Sequence, residues 1–82
     1  MFTVYVIYNK RFRKTYVGFT SDLEKRILQH NEGFTGSYTS RFIGDWIVIY
    51  AEKYSSAIKA RIREKQLKTY KGREFIKKYI PG

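Results

Sequence analysis

The sequence contains no cysteine, which excludes both a disulfide framework and a metal site built from thiolates. It also lacks any apolar stretch long enough to span a bilayer, and it does not open with the charged, apolar and small-residue segments of a signal peptide. Its 82 residues suffice for one small core. We therefore expect a single cytoplasmic domain over residues 1–82 whose stability comes from packing.

Acidic residues are scarce, because seven aspartates and glutamates stand against seventeen lysines and arginines, for a formal net charge of +10. So basic a chain attracts polyanions, of which nucleic acid is the most abundant in cells. Ten of the basic residues lie between Lys53 and Lys78, with only Glu64 and Glu74 to offset them. The segment lacks the broad apolar face of a membrane-surface helix. We expect DNA as the partner, with RNA as second choice, and no membrane.

Two strands are predicted near the N-terminus, because aromatic and β-branched residues dominate residues 2–8 and 15–19. The short polar connection between these segments favours an antiparallel hairpin, which would set Tyr5 near Tyr16. Gly18 ends the second strand. A residue without Cβ at this position lets another group approach the backbone closely.

A helix is predicted from residue 22 to about residue 31. Ser21 and Glu24 have the spacing of a capping box, in which the hydroxyl and the carboxylate satisfy amides of the first turn. At helical spacing, Leu23 and Ile27 form the apolar stripe that faces the sheet.

Arg26 and His30 lie four residues apart and share the strip beside that apolar stripe, where the helix meets the edge of the sheet. Each has a structural interpretation. Arg26 would extend its charged end to solvent, and His30 would stabilise the helix end, where a cation is favoured. The alternative is that both serve a reaction.

Residues 32–45 carry three glycines and several hydroxyl residues, which predicts a loop. Tyr38 and Arg41 lie in this loop. We predict that both bind nucleic acid, since rings stack on bases and guanidinium groups pair with phosphate. Lys14, at the end of the hairpin connection, is predicted to do the same.

A third strand is predicted over residues 46–54. Its first five residues are all apolar, which indicates a strand covered on both faces. We therefore expect it to be the centre of the sheet or its most protected member.

Two helices are predicted after the third strand. Ser55 or Ser56 caps the first, which runs to about Thr69. Gly72 interrupts, and residues 73–80 form a short last helix. The order strand, strand, helix, strand, helix, helix predicts an α+β fold in which helices pack on a small sheet.

Glu64 occupies an unusual position on the first of these helices, within a stripe of small apolar residues. A carboxylate there is partly desolvated, which is costly unless it meets a cation or a metal. The structural alternative is an ion pair with Lys68 or with Arg61. The apolar neighbours on the helical wheel are Ala57, Ala60 and Leu67.

These residues together resemble a known family. The pattern is Thr3-Val4-Tyr5, ten intervening residues, Tyr16-Val17-Gly18, the helix LEKRILQHN with Arg26 and His30, and Glu64 downstream. It resembles the GIY-YIG endonucleases, above all small single-domain members related to the N-terminal nuclease of excinuclease. The resemblance extends from residue 2 to about residue 80.

The resemblance implies three antiparallel strands flanked by helices, and a DNA endonuclease that cuts a phosphodiester with one divalent metal, Mg²⁺ or Mn²⁺. Tyr5 and Tyr16 match the motif tyrosines, Arg26 the catalytic arginine and Glu64 the metal ligand. His30 matches a position that is often histidine. Recurrent positions of less defined role are matched by Tyr38 and Lys68, and we assign Lys68 to nucleic-acid binding.

The chemistry of these residues agrees with hydrolysis of a phosphodiester. Arg26 offers a planar donor fork for phosphate, and Glu64 suits Mg²⁺, which needs few protein carboxylates. The general base stays open between Tyr5, Tyr16 and His30, of which the imidazole, with a usual pKa of about 6.5, already suits neutral pH.

Two functions remain. The first is an endonuclease, selective for DNA structure and acting in repair or recombination. The second is a nucleic-acid-binding module of the same fold that cuts weakly or not at all. Specificity would come from a partner, from a homodimer or from substrate shape.

Overall fold

A computed structural model describes residues 1–32 and 44–82, and these form three strands and three helices. The observed order β-β-α-β-α-α and the α+β class confirm the prediction. Tyr38 and Arg41 lie outside the described residues. In the two described segments, no helix is long and apolar enough to cross a membrane. The elements are β1 (Phe2–Asn9), β2 (Lys14–Thr20), α1 (Leu23–Glu32), β3 (Trp46–Tyr54), α2 (Ala57–Leu67) and α3 (Tyr70–Lys77).

The strands form one antiparallel sheet in the order β2-β1-β3, so β1 is the central strand. The prediction that the third strand is the centre of the sheet or its most protected member is wrong. Both β2 and β3 hydrogen-bond to β1, which leaves β3 paired along one edge within the described segments. Ile47 and Val48 of β3 are exposed, whereas residues 4–9 of β1 form an unbroken buried run.

β1 contributes to a core on each face of the sheet, because successive side chains of a strand point to opposite faces. Tyr5 and Ile7 lie in a cluster that α1 covers. Val4 and Val6 lie in the opposite cluster, which α2 and α3 cover. The residues that α1 packs on the first cluster are Leu23 and Ile27, as the sequence predicted, and the buried helix residues in the second are Ala60, Leu67 and Ile76.

Short polar side chains set where α1 and α2 begin. The carboxylate Oδ1 of Asp22 accepts a hydrogen bond from the Lys25 amide at 3.2 Å. The prediction of Ser21 as the cap is therefore wrong by one residue. Ser56, one of the two serines predicted for α2, accepts hydrogen bonds from two amides of the first turn of that helix.

Gly72 lies inside α3 rather than at a break before it. A Cβ on this residue would lie 2.3 Å from the carbonyl oxygen of Gln66 and 2.4 Å from Cα of Leu67. The glycine therefore lets α3 cross the end of α2 in direct backbone contact. The predicted interruption at Gly72 and the predicted last helix over residues 73–80 are both wrong, because Thr69 caps α3 instead of extending α2.

We expect Gly72→Ala to destabilise the fold by about 3 kcal/mol, because backbone atoms rather than a flexible side chain oppose the new methyl group. Urea unfolding followed by circular dichroism measures this loss. Lys71→Ala, at an exposed position of the same helix, is the control and should change the free energy of unfolding by less than about 0.5 kcal/mol. Equal stability of the two variants would contradict the tight helix contact.

A half-buried carboxylate on β3 holds α2 against the sheet. Both carboxylate oxygens of Glu52 accept hydrogen bonds from Arg63 of α2, at 3.0 Å from Nε to Oε1 and 3.0 Å from Nη2 to Oε2. The hydroxyls of Tyr50 and Tyr54 also donate to Glu52. Burial raises the pKa of Glu52, but these hydrogen bonds outweigh burial and hold the pKa below its usual value. Glu52 is therefore an ionised group that fixes the position of α2.

Candidate active site

The β1–β2 hairpin sets two tyrosines side by side on the face of the sheet that α1 covers. Tyr5 lies opposite Gly18 in the hairpin register, and Tyr16 lies opposite Ile7. The ring centroids of the two tyrosines are 6.4 Å apart. A Cβ on Gly18 would lie 2.7 Å from the Tyr5 hydroxyl oxygen, so the glycine makes room for that hydroxyl. The predicted proximity of the tyrosines and the predicted close approach at Gly18 are both confirmed.

His30 of α1 completes a cluster of three rings. Its Nε2 lies 2.8 Å from the Tyr5 hydroxyl oxygen, within hydrogen-bond distance. Its ring centroid is 5.1 Å from that of Tyr16. His30 and Tyr5 are both only 1% exposed. The histidine is thus buried against the tyrosines, and the interpretation of His30 as a group that stabilises an exposed helix end does not describe this arrangement.

Asn31 fixes the position of His30, and sequence reasoning missed this role. The Asn31 side chain accepts a hydrogen bond from the backbone amide of Trp46 at 2.8 Å and donates one to the carbonyl of the same residue at 3.3 Å. The end of α1 is therefore tied to the start of β3. The only signal in the sequence was an amide side chain directly after His30, but its partner is fifteen residues away.

Glu64 and Lys68 reach this cluster from α2, which also contacts β2. The Glu64 side chain is 17% exposed, and its Oε2 lies 3.5 Å from Lys68 Nζ. Of the two ion pairs considered for Glu64, the one with Lys68 is thus present. Lys68 Nζ lies 6.0 Å from the centre of the Tyr16 ring. The carboxylate is therefore held beside the tyrosines and next to one cation.

Arg26 is half-buried on α1, near both Tyr5 and His30. Its positive charge influences the pKa of each of those groups, and the charge of Glu64 influences the pKa of Tyr5. All five residues predicted to be catalytic therefore surround one point of the fold. Of the predicted nucleic-acid contacts, Lys68 is part of this site and Lys14 lies with it in an adjacent groove, whereas Tyr38 and Arg41 are outside the described residues.

Burial dominates the electrostatics of the hydrogen-bonded pair. Burial, with help from Tyr16, raises the pKa of Tyr5 far above its usual value, and Arg26 only partly opposes this rise. Burial and the charge of Arg26 lower the pKa of His30 to about 4. At neutral pH the phenol is thus protonated and the imidazole neutral. The expectation that His30 titrates near 6.5 does not hold in this surrounding.

We expect His30 to make the fold less stable as pH falls from about 6.5 to 4. The unfolded chain takes up the imidazole proton near 6.5 and the folded chain only near 4, so protons favour unfolding across this window. The full effect is about 3 kcal/mol, at 1.36 kcal/mol per unit of pKa. Urea unfolding of the wild type and His30→Gln at several pH values measures the difference between their slopes.

This measurement is clean above pH 5, because His30 is the only histidine of the chain and carboxylates titrate lower. Subtracting the His30→Gln slope removes the remaining carboxylate contribution. An imidazole resonance that titrated near 6.5 in the folded protein would contradict the burial of this side chain.

Glu64 is the residue of the site best suited to a divalent cation. Within residues 1–32 and 44–82, no three histidine, cysteine, aspartate or glutamate side chains gather at one place. A cation at Glu64 would therefore complete its shell with water and phosphate oxygens, which is the habit of Mg²⁺. The donor set thus fits a hard cation that is bound together with its substrate, in exchange for the contact with Lys68.

Comparison with known proteins agrees with this geometry. Residues 1–79 match the family model of the GIY-YIG catalytic domain. A UPF0213 protein of Staphylococcus saprophyticus is 32% identical over 67 residues, which cover 82% of this chain and 80% of that protein. A UPF0213 protein of Staphylococcus haemolyticus is 34% identical over 62 residues, covering 76% and 74% of the two chains.

A solved structure has the same fold. The solution NMR structure of a UPF0213 protein from Bacillus halodurans matches with a TM-score of 0.55 and 26% sequence identity, and the match covers 100% of this chain and 88% of that one. The resemblance predicted from the tyrosine motifs is thereby confirmed. The chain belongs to the GIY-YIG family of nuclease domains, and its relatives there are UPF0213 proteins.

Proposed function

We propose that this protein is a metal-dependent endonuclease that hydrolyses phosphodiester bonds of DNA. The observation that carries the proposal is the convergence of a buried tyrosine–histidine pair, an arginine and a carboxylate on one point of a basic molecule. Hydrolysis needs a proton acceptor for the attacking water and positive charge at the non-bridging oxygens. Binding alone has no use for a carboxylate that faces a polyanion.

The Tyr5–His30 pair supplies the proton acceptor. Tyr5 does not ionise at neutral pH, but its hydroxyl can take a proton from water while passing its own to Nε2 of His30, 2.8 Å away. No phenolate forms in this relay. The negative charge of a bound phosphate raises the pKa of the imidazole and so favours the transfer. Tyr16 is half-buried beside the pair and positions the water or the phosphate.

Arg26 and Glu64 act on the phosphate from opposite sides of the Tyr5 hydroxyl. The guanidinium group of Arg26 donates two parallel hydrogen bonds to non-bridging oxygens as negative charge builds on them. Glu64 holds Mg²⁺, which supplies Lewis-acid stabilisation of the phosphoryl oxygens when bound. Lys68, released from Glu64, remains available to a neighbouring phosphate.

The test is incubation of the purified protein with supercoiled, linear, branched and single-stranded DNA and with RNA, each with Mg²⁺, with Mn²⁺ and with EDTA. Cleavage that requires the metal is the expected result, and the preferred substrate reports whether DNA structure is selected. Failure to cut any of these substrates under any condition would contradict the endonuclease.

A second candidate is a nucleic-acid-binding module that cuts only with help from a partner or not at all. The ion pair of Glu64 with Lys68 favours this candidate, because it satisfies the carboxylate without a metal. Salt-sensitive binding of DNA together with absence of cutting would select it. In either case we place the protein in DNA repair or recombination, with specificity supplied by substrate shape, by a partner or by a homodimer.

A further inference from the structure

A groove separates the end of the β1–β2 hairpin from α3 and encloses about 480 Å³. Its floor contains Leu67 and Ile76, which belong to the core on the α2 and α3 side of the sheet. Its walls carry the cations that give it its character. We call it the basic groove, and these cations are Arg13, Lys14, Lys68, Arg73 and Lys77.

The charge of the basic groove is one-sided, because none of the described residues that line it is acidic. Two carboxylates outside it pair with its lysines, Glu64 with Lys68 at 3.5 Å and Glu74 with Lys77 at 3.4 Å. The second pair is exposed on both sides and so weak that it yields to a stronger anion. A surplus of positive charge thus remains around a concave space.

Arg13 is held in an unfavourable backbone conformation at one end of the groove. Its φ is 54°, in the left-handed region, where a side chain with a Cβ costs free energy and glycine or asparagine is the usual residue. The hairpin nevertheless places a long cationic side chain there, and that side chain lines the groove. Strain of this kind points to a role for the side chain in binding.

The basic groove is continuous with the candidate active site, because Tyr16 and Lys68 belong to both. We infer that the groove binds the sugar–phosphate backbone of the DNA strand that is cut, on one side of the scissile phosphate. Arginine forks and lysine ammonium groups suit successive phosphates, and an apolar floor suits the sugars. A space of this size takes the backbone of one strand but no stacked duplex. This inference rests on the proposed function.

The test compares two variants that each lose three positive charges. The groove variant is Arg13→Gln, Arg73→Gln and Lys77→Gln in one chain. The control variant is Lys53→Gln, Lys59→Gln and Arg61→Gln, at exposed positions outside the groove. Binding of fluorescein-labelled single-stranded and duplex DNA is measured by anisotropy in EDTA over a range of salt concentrations.

We expect the groove variant to lose affinity about tenfold or more. Its slope of log K against log salt should fall by about two units with single-stranded DNA, since each lost phosphate contact contributes about 0.7. The control variant should keep most of the slope. Equal losses in the two variants would overturn the groove assignment, because general charge would then explain binding. The single variants Arg73→Gln and Lys77→Gln decide the matter if the triple variant does not fold.

Cleavage separates this inference from the proposed function. If the wild type cuts, the groove variant should raise KM and leave the single-turnover rate at saturating DNA unchanged, because none of its three substituted residues touches the reacting atoms. If the wild type cuts nothing and the groove variant still loses its salt-dependent contacts, the groove stands and the endonuclease falls. If the wild type cuts and the two triple variants bind alike, the reverse holds.

Discussion

Glu64→Gln is expected to lower metal-dependent cleavage by about a thousandfold or more while DNA binding persists or becomes tighter. Glutamine keeps the size of the side chain but removes the charge that Mg²⁺ requires from its protein ligand. It also removes a negative charge that repels the phosphate backbone. Single-turnover nicking of supercoiled DNA gives the rate, and anisotropy in EDTA gives the affinity.

Glu74→Gln is the matched control for this variant. Glu74 is also paired with a lysine along its helix, at 3.4 Å from Lys77, and its substitution changes the net charge equally. It should leave the cleavage rate unchanged, because it lies outside the cluster around Tyr5. Wild-type cleavage by Glu64→Gln would remove Glu64 from the reaction and leave it as the structural partner of Lys68.

Arg26→Ala is expected to cost about a hundredfold or more in the rate of cleavage, because it removes the donor fork from the developing charge on phosphate. Arg26→Lys should recover only part of the rate, since an ammonium group keeps the charge but cannot donate two parallel hydrogen bonds from one plane. Lys25→Ala changes an exposed cation one residue away and should behave as wild type.

A spectroscopic readout distinguishes this role from a structural one. The charge of Arg26 contributes to the low pKa of His30, so Arg26→Ala should raise that pKa while Arg26→Lys should largely preserve it. NMR titration of the single imidazole measures both. An unchanged cleavage rate in Arg26→Ala, with His30 shifted as expected, would make Arg26 a neighbour of the site without a part in the chemistry.

Local interactions were predictable from the sequence, and pairings between distant segments were not. The Glu64–Lys68 ion pair follows from a spacing of four on one helix, and the proximity of Tyr5 and Tyr16 follows from a single hairpin. The central position of β1 does not, because an apolar run such as that of β3 reports affinity for a core but not the order in which strands pair.

The same limit explains what was missed around His30. Its low pKa depends on burial, to which a neighbouring strand and its own helix contribute, together with the charge of Arg26. The anchoring of Asn31 on Trp46 likewise joins segments that the sequence separates. Gly72 shows a different limit, because a glycine that breaks a helix and a glycine that lets two helices touch have the same appearance in a sequence.

The central strand β1 supplies side chains to the cores on both faces of the sheet and also carries Tyr5. Neither layer can therefore detach and leave the other with an intact sheet. The backbone amides of β1 should exchange with solvent deuterium only through global unfolding, and those near the exposed edge of β3 through smaller openings. The hydroxyl of Tyr5 consequently inherits the lifetime of the whole native state, so that local fluctuations at the periphery leave its alignment with His30 intact.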